Sequence, residues 1–544
     1  MTNPAADLII DASTVHTMAD GTAPATALAV RDGLIAATAA AEDRRELLAA
    51  WRGPGTVVIE EPGLVVLPAF VDTHNHLMLA GQNILGVPVS RAADIPQLVA
   101  MIRERAARTP AGQWIRTAAD WHELRLAERR LPTAAELDQA TAEHPVLVQR
   151  GGHNGVLNSA ALRLVGVGRD SPDIVGGFID RDASGEPRGW LQDAALDVAL
   201  RVVPPLPEAE LIAGLGQASA GYAAHGLGTV RDPAVSPGQW QTYCRAQAEG
   251  RLAVRSHAMI MTVAPAVAAA GSPDAYLDGL EEQGIKPGAG EGLLRVWGLK
   301  LVLDGGVEAA AMDDPYADRP GYRGELMWDR ETLTAVLDAC VRRGWPAGVH
   351  AMGDRANAVL LAAIRDAARQ AASVPPGMLV IEHGGLIGRH IAAAAGLGVH
   401  ITVQQALLDG LAPAFLAAWG PDRTAALFPW RQLVDADAWI SAGTDHPIGP
   451  LSPLRAVHGM TTRATPAGVL GPEHAISRAQ ALRLYTVAGA AFLAGPTAGT
   501  LVPGAPADLA IYPADPFTCS DEELLSLSPA ATVIGGQLAY RGSA

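Results

Sequence analysis

Two histidines two residues apart, His74 and His76 in Val71-Asp72-Thr73-His74-Asn75-His76, follow the apolar run Leu64-Val65-Val66-Leu67-Pro68-Ala69-Phe70. Side chains at i and i+2 of an extended segment point the same way. Both imidazoles can therefore reach one cation at about 2 Å from each nitrogen. Taken by itself such a pair is a weak signal, because buried histidines are also satisfied by ordinary hydrogen bonds. Four further apolar runs end in groups of the same kind: Val296-Trp297-Gly298-Leu299-Lys300, Pro346-Ala347-Gly348-Val349-His350, Met378-Leu379-Val380-Ile381-Glu382-His383, and Trp439-Ile440-Ser441-Ala442-Gly443-Thr444-Asp445.

Each run reads as a buried strand with a polar group at its C-terminal end. A parallel (β/α)8 barrel collects its active-site residues at that edge, different strands contributing different groups. Eight candidate strands end at His76, Asp232, Ile260, Lys300, His350, His383, Gln404 and Asp445, and eight strands close such a barrel. One mouth would then gather all six side chains. Short β-like runs at both chain ends, Asp7–Ile10, Thr26–Val30 with the turn pair Asp32-Gly33, Ala507–Tyr512, and Ala531–Ile534 with Gly535-Gly536, predict one small β domain with hairpins. The expected organisation is α/β. A small composite β domain takes residues 1–65 and 497–544, and the (β/α)8 barrel takes 66–496. The interval from about 81 to 205 is too long for one crossover and holds its own strand-like Val146–Gln149, so it reads as an inserted subdomain.

Composition narrows the partners. With 41 Lys+Arg against 57 Asp+Glu the net charge is −16, and no basic stripe suits a phosphate backbone. The first residues lack the charged flank and apolar core of a secretory signal, and no apolar run reaches membrane-spanning length. The expectation is a cytoplasmic protein acting on a small molecule, with no nucleic-acid or membrane partner and a homo-oligomer left open. Cys244, Cys340 and Cys519 are far apart and odd in number, so they predict buried thiols rather than a disulfide framework or thiolate site.

Set in order, these residues resemble the amidohydrolase superfamily, and within it the metal-dependent hydrolases that include N-substituted formamide deformylases. The resemblance covers nearly the whole chain. It rests on Asp72-Thr73-His74-Asn75-His76, Gly152-His153 with Asn158–Leu162, Gly176–Asp182, Lys300–Gly305, His350–Ala356, Ile381-Glu382-His383, Gly443–Pro447 and the closing Gly499–Leu509. It implies two divalent metals, for which imidazole and carboxylate-like oxygen suit zinc without excluding manganese, iron or cobalt. His74, His76, Lys300 and Asp445 would hold one metal, and Lys300, His350 and His383 the other. Lys300 would be carboxylated, since a free ammonium has no lone pair for a cation; a plain buried lysine paired with Asp304 or Asp445 is the alternative.

The implied reaction is hydrolysis of an amide-type C–N bond in a small N-substituted amide or formamide, with Asp445 as the proton carrier for a metal-activated water. A carbamate, ester, lactam or cyclic-amide hydrolase is the second reading, and a non-catalytic binding relative the third. His153, Trp121 and Trp190 in the insert are the candidate substrate contacts. His122 beside Trp121 reads as a partly exposed pair, and Asp354 with Arg355 as a brace for the following helix. The absence of a basic cluster favours an apolar substituent, although a single Arg231 or Arg355 could bind a carboxylate. The chain departs from the family pattern at Val380, where arginine commonly precedes Ile-Glu-His, at Gln405, where proline is common, and at Asp193, where glutamate is usual. By alternation, an inward His383 places Ile381 inward and turns Val380 and Glu382 toward the helices.

Overall fold

The run Leu64–Phe70 serves two sheets. In the computed structural model, which describes residues 5–60, 63–152, 154–174, 177–370, 374–495 and 497–542, Val65–Pro68 pairs with Leu8–Val15 and Leu509–Tyr512 in a sheet drawn from both chain ends. After Ala69 the chain enters a second sheet with Phe70–Asp72. The passage from one sheet to the other thus falls at Ala69, a few residues beyond the expected boundary at 65–66.

Eight parallel strands form that second sheet: β1 (Phe70–Asp72), β2 (Leu227–Val235), β3 (Arg255–Met261), β4 (Leu294–Val302), β5 (Ala347–Ala351), β6 (Leu379–His383), β7 (His400–Val403) and β8 (Ile440–Ala442). They are hydrogen-bonded in chain order. The edges meet where Thr73 N donates to the Ala442 carbonyl at 3.2 Å and Thr73 Oγ1 donates to it at 3.0 Å. The expected (β/α)8 barrel is what forms. Strands such as Leu379–His383 and His400–Val403 are buried at every residue, which is why they read as continuous apolar runs rather than alternating ones.

The helices between strands carry their own start and stop signals. Arg330–Arg343 begins at Asp329, whose Oδ1 accepts from Thr332 N at 2.8 Å, a cap worth about 1 kcal/mol. It ends with Arg342 and Arg343 in the last turn and Gly344 at φ 69°, where a side chain would be strained. Leu333, Val336, Leu337 and Cys340 bury its inner face. Cys340 is buried as expected, whereas Cys244 and Cys519 are partly exposed. The end sheet closes two hairpins through Asp32-Gly33 and Gly535-Gly536, all four at positive φ, the geometry of tight turns whose twist matches the strands.

The chain divides into two compact units, Met1–Leu77 with Ser219–Ala544, and Met78–Ala218. The second holds a sheet of Gly177–Arg181, Pro187–Asp193, Asn154–Leu157, Val146–Arg150 and Ile115–Arg116. Its limits lie outside the expected 81–205, because the helices Leu77–Leu85 and Glu208–Ala223 approach backbone to backbone. A Cβ on Gly81 would stand 2.8 Å from Leu215 N, and one on Gly214 2.5 Å from Gly81 O. Among the described residues no helix is long and apolar enough to cross a membrane.

Candidate active site

The segment after β1 and the segment after β8 are tied together. The Asp72 carboxylate accepts from His74 N at 3.1 Å, Thr444 N at 3.1 Å and Thr444 Oγ1 at 2.6 Å. Asp445 N donates to the His74 carbonyl at 2.8 Å, and His76 N to the His446 carbonyl at 2.7 Å. Gly443 permits the approach, since a Cβ there would lie 2.8 Å from both His74 N and His74 O. As a result Asp445 Oδ1 stands 2.9 Å from His76 Nε2 and 3.5 Å from His74 Nε2, and one ligand atom from each of the three residues falls within 4.8 Å of the others.

Two more imidazoles extend the cluster. The His383 ring centroid is 4.5 Å from that of His74 and 4.4 Å from that of His350. His383 Nδ1 is 4.0 Å from Asp445 Oδ2. His350 Nε2 lies 3.3 Å from the Gly305 carbonyl and 3.7 Å from Asp304 Oδ1. Lys300, 3% exposed in β4, is in register with Gly348, two residues before His350. Burial pulls its ammonium down to about 8 against the Glu382 and Asp445 charges, which raise it. Burial, then neighbouring cationic groups, hold His74 and His383 well below the ordinary histidine range, so both are neutral imidazoles able to offer a lone pair. Asp304 accepts from Ala311 N, Met352 N and Gly353 N, so its carboxylate braces the loops behind β4 and β5.

Glu382, expected to face the helices, points into the barrel. It is fully buried; its Oε2 is hydrogen-bonded to His74 Nδ1 and accepts from Thr402 Oγ1 at 2.7 Å. A Cβ on Gly348 would touch its Oε1 at 2.1 Å. Alternation fails at the last step because His383 has φ 72°, leaving the β region, so Glu382 and His383 both reach the interior. Asp445 is left-handed as well, at φ 55°; such strain, of order 1–3 kcal/mol, concentrates at functional sites. Burial pushes the Glu382 carboxyl up, but the Arg231 and Lys300 charges outweigh it and hold it below its ordinary range. The signal for Glu382 is its type: a carboxylate inside a strand buried throughout must be paired.

Arg231, a candidate carboxylate clamp, is fully buried and grips Glu382 instead. Arg355 Nη2 donates to the carbonyls of Arg323 and Gly324 at 3.3 and 3.1 Å. In the second unit, Trp121 and His122 are buried rather than a surface pair. Trp121 donates to the Gln149 carbonyl at 2.7 Å, and His122 Nδ1 accepts from Leu124 N at 3.2 Å. Trp190 donates to Asn154 Oδ1 at 2.8 Å and packs edge-on to Phe178. His153 lies outside the described residues.

The donors fit a divalent cation. His74 Nε2, His383 Nδ1 and Asp445 Oδ1 are buried and have no hydrogen-bond partner among the described residues. Leaving such atoms unmatched costs about 1–3 kcal/mol each, a cost that a cation among them would remove. His74 donates its other nitrogen to a carboxylate, the arrangement that orients imidazole ligands.

Imidazole and carboxylate donors gathered at the C-terminal edge of a (β/α)8 barrel mark the class of metal-dependent hydrolases. Residues 59–540 match the amidohydrolase family, and the chain belongs to it. It is 29% identical to the N-substituted formamide deformylase of Arthrobacter pascens over 98% of each chain. It is 27% identical to the amidohydrolase YtcJ of Bacillus subtilis, over 97% of this chain and 98% of that one. A metal-dependent hydrolase of Pyrococcus horikoshii OT3 shares the fold with a TM-score of 0.75 at 23% identity, covering 95% of this chain and 99% of the other.

Proposed function

We propose that the chain hydrolyses the C–N bond of a small N-substituted amide or formamide at a centre of two divalent ions, zinc being the best match to the donors. The observation that carries the reading is the convergence of His74 Nε2 and His76 Nε2 on Asp445 Oδ1, at 3.5 and 2.9 Å, with the His383 ring tilted at 4.5 Å from that of His74 and edge-on at 4.4 Å from that of His350. His74, His76, Lys300 and Asp445 would hold one ion, and Lys300, His350 and His383 the other. Bound there, the ions supply a water acidified to a pKa of about 7 and an electrophile for the acyl oxygen.

The chain's own residues do the rest. Burial brings Lys300 within reach of its neutral amine. That nitrogen adds to the carbon of carbon dioxide and releases one proton, leaving a carbamate whose oxygens can ligate. Asp445, set between the His76 and His383 rings, takes the proton from the attacking water and delivers it to the leaving nitrogen. The acyl carbon gains an oxygen, the C–N bond breaks, and an acid and an amine leave. The formamide substrate named for the Arthrobacter pascens relative supports the amide class. The engagement of Arg231 by Glu382 and Thr73 supports an apolar rather than anionic substituent.

The test is a panel of N-substituted formamides, acylamino acids, lactams and carbamates, assayed with zinc- and manganese-loaded protein under one set of conditions. Release of amine from the formamides above all others is expected. Preference for acylamino acids or lactams would overturn the substrate assignment and leave the metal chemistry standing.

A further inference from the structure

Arg231 sits in β2 with its side chain fully buried. Its Nε donates to the Thr73 carbonyl at 2.7 Å, and its Nη2 donates to both Glu382 oxygens, at 2.7 and 2.8 Å. The guanidinium lies over the Trp297 ring at 4.4 Å and the Phe492 ring at 5.0 Å. A barrel interior is cheaper to fill with aliphatic side chains than with an ion pair, so a buried pair is weak evidence for stability. What this pair does have is a direct outlet to the site. Glu382 Oε2, besides meeting Arg231, is bonded to His74 Nδ1, and the Thr73 carbonyl belongs to the residue before His74.

We propose that Arg231 is a positioning residue for the metal centre. One guanidinium holds the carboxylate behind the His74 ring and the backbone in front of it. The ring is thereby fixed with Nδ1 donating to Glu382 and Nε2 turned toward Asp445 as the lone-pair donor. A planar fork suits this task, since Nε and Nη2 reach two fixed acceptors at once while the Trp297 and Phe492 rings, themselves 5.7 Å apart, pack against the guanidinium. A lysine would bring the charge without the fork. Thr402 Oγ1, at 2.7 Å from Glu382 Oε2, adds a third hold on the same carboxylate. The inference rests on the reading of His74 as a metal ligand.

The experiment is a double-mutant cycle read by metal affinity rather than turnover. Wild type, Arg231→Gln, Glu382→Gln and the double variant are titrated with zinc against a competing chelator, and the visible bands of the cobalt(II) forms are recorded. Loss of an outer partner of a metal-ligating histidine costs 10–100-fold in affinity, so each single variant should weaken binding by about 10–100-fold. Arg231→Gln should also shift the cobalt bands. The double variant should lose far less than the product of the two, because the arginine acts mainly through the carboxylate. Multiplicative losses, or an unchanged affinity and spectrum in folded Arg231→Gln, would overturn the proposal. If Arg231→Gln does not fold, Arg231→Lys goes through the same cycle. Failure of both to fold, judged by circular dichroism, would assign the guanidinium to barrel assembly and overturn it too. A wild-type protein that binds no metal would sink the metal reading itself, a different result from a multiplicative cycle.

Discussion

The proposed reaction gives Asp445 two duties that are separable in the laboratory. Its Oδ1 faces His76 and His74 while its Oδ2 faces His383, so the carboxylate can both ligate and move a proton. Asn in its place keeps one oxygen of similar shape and loses the proton carrier. Asp445→Asn is therefore expected to lower kcat by at least about 10²-fold, with KM changed far less, once metal content is matched to wild type. A kcat near wild type at equal occupancy would move the proton transfer to another group. The left-handed backbone at Asp445 and at His383 belongs to the same story, since each residue turns off its strand to aim a side chain where alternation would not place it.

Strand ends are legible in this sequence because strands buried on both faces are unbroken apolar runs, and the first polar residue after each run marks the edge that becomes the barrel mouth. Side-chain direction at those ends is less legible. The period of two holds only while φ stays in the β region, and the positive φ of His383 hides the inward turn of Glu382, as Trp121 hides its burial within a stretch that reads as polar. Strand spacing offers a test of what Glu382 does. Gly348 of β5 is where that carboxylate crosses; a Cβ there would stand 2.1 Å from Glu382 Oε1 and 2.6 Å from Met259 Cε. Gly348→Ala should cost about 1–3 kcal/mol of stability and weaken metal binding as Glu382 is pushed off His74. Gly279, in the helix Pro273–Glu282 with nothing within 4 Å, is the control: Gly279→Ala should be neutral or stabilising by up to about 1 kcal/mol. Equal metal affinity in the two variants would remove Glu382 from the site.

At the scale of the whole molecule, protons act on the barrel through the histidines it buries, and a metal at the proposed centre would act through histidines as well. His400 of β7 is fully buried, stacked on Phe492 at 3.8 Å, with Nε2 on Ser441 Oγ at 2.8 Å. Burial first, and the Arg231 charge next, hold it well below the ordinary histidine value, against Glu382, which raises it. The folded chain thus refuses a proton that the unfolded chain takes up near pH 6.5. Its stabilising effect is complete above that pH and is lost as pH falls below it, by up to about 1.4 kcal/mol per pH unit. Chelator-treated wild type and His400→Gln, unfolded by denaturant between pH 7 and 5.5, should differ in slope by about 0.2 proton at pH 7, rising to about 0.9 proton at pH 5.5, and identical slopes would refute this. A bound metal would act in the opposite sense. The proposed ligands come from or just beyond β1, β4, β5, β6 and β8, so each bound ion would tie three strands, and the two together five of the eight, in the folded chain, against few ligands at once in the unfolded one. At a free concentration 100 times Kd it should add about 2.7 kcal/mol. Chelation should lower the thermal midpoint, and added zinc should raise it again in step with the logarithm of its concentration. A midpoint indifferent to chelator and zinc alike would mean that the strand ends do not meet on a metal.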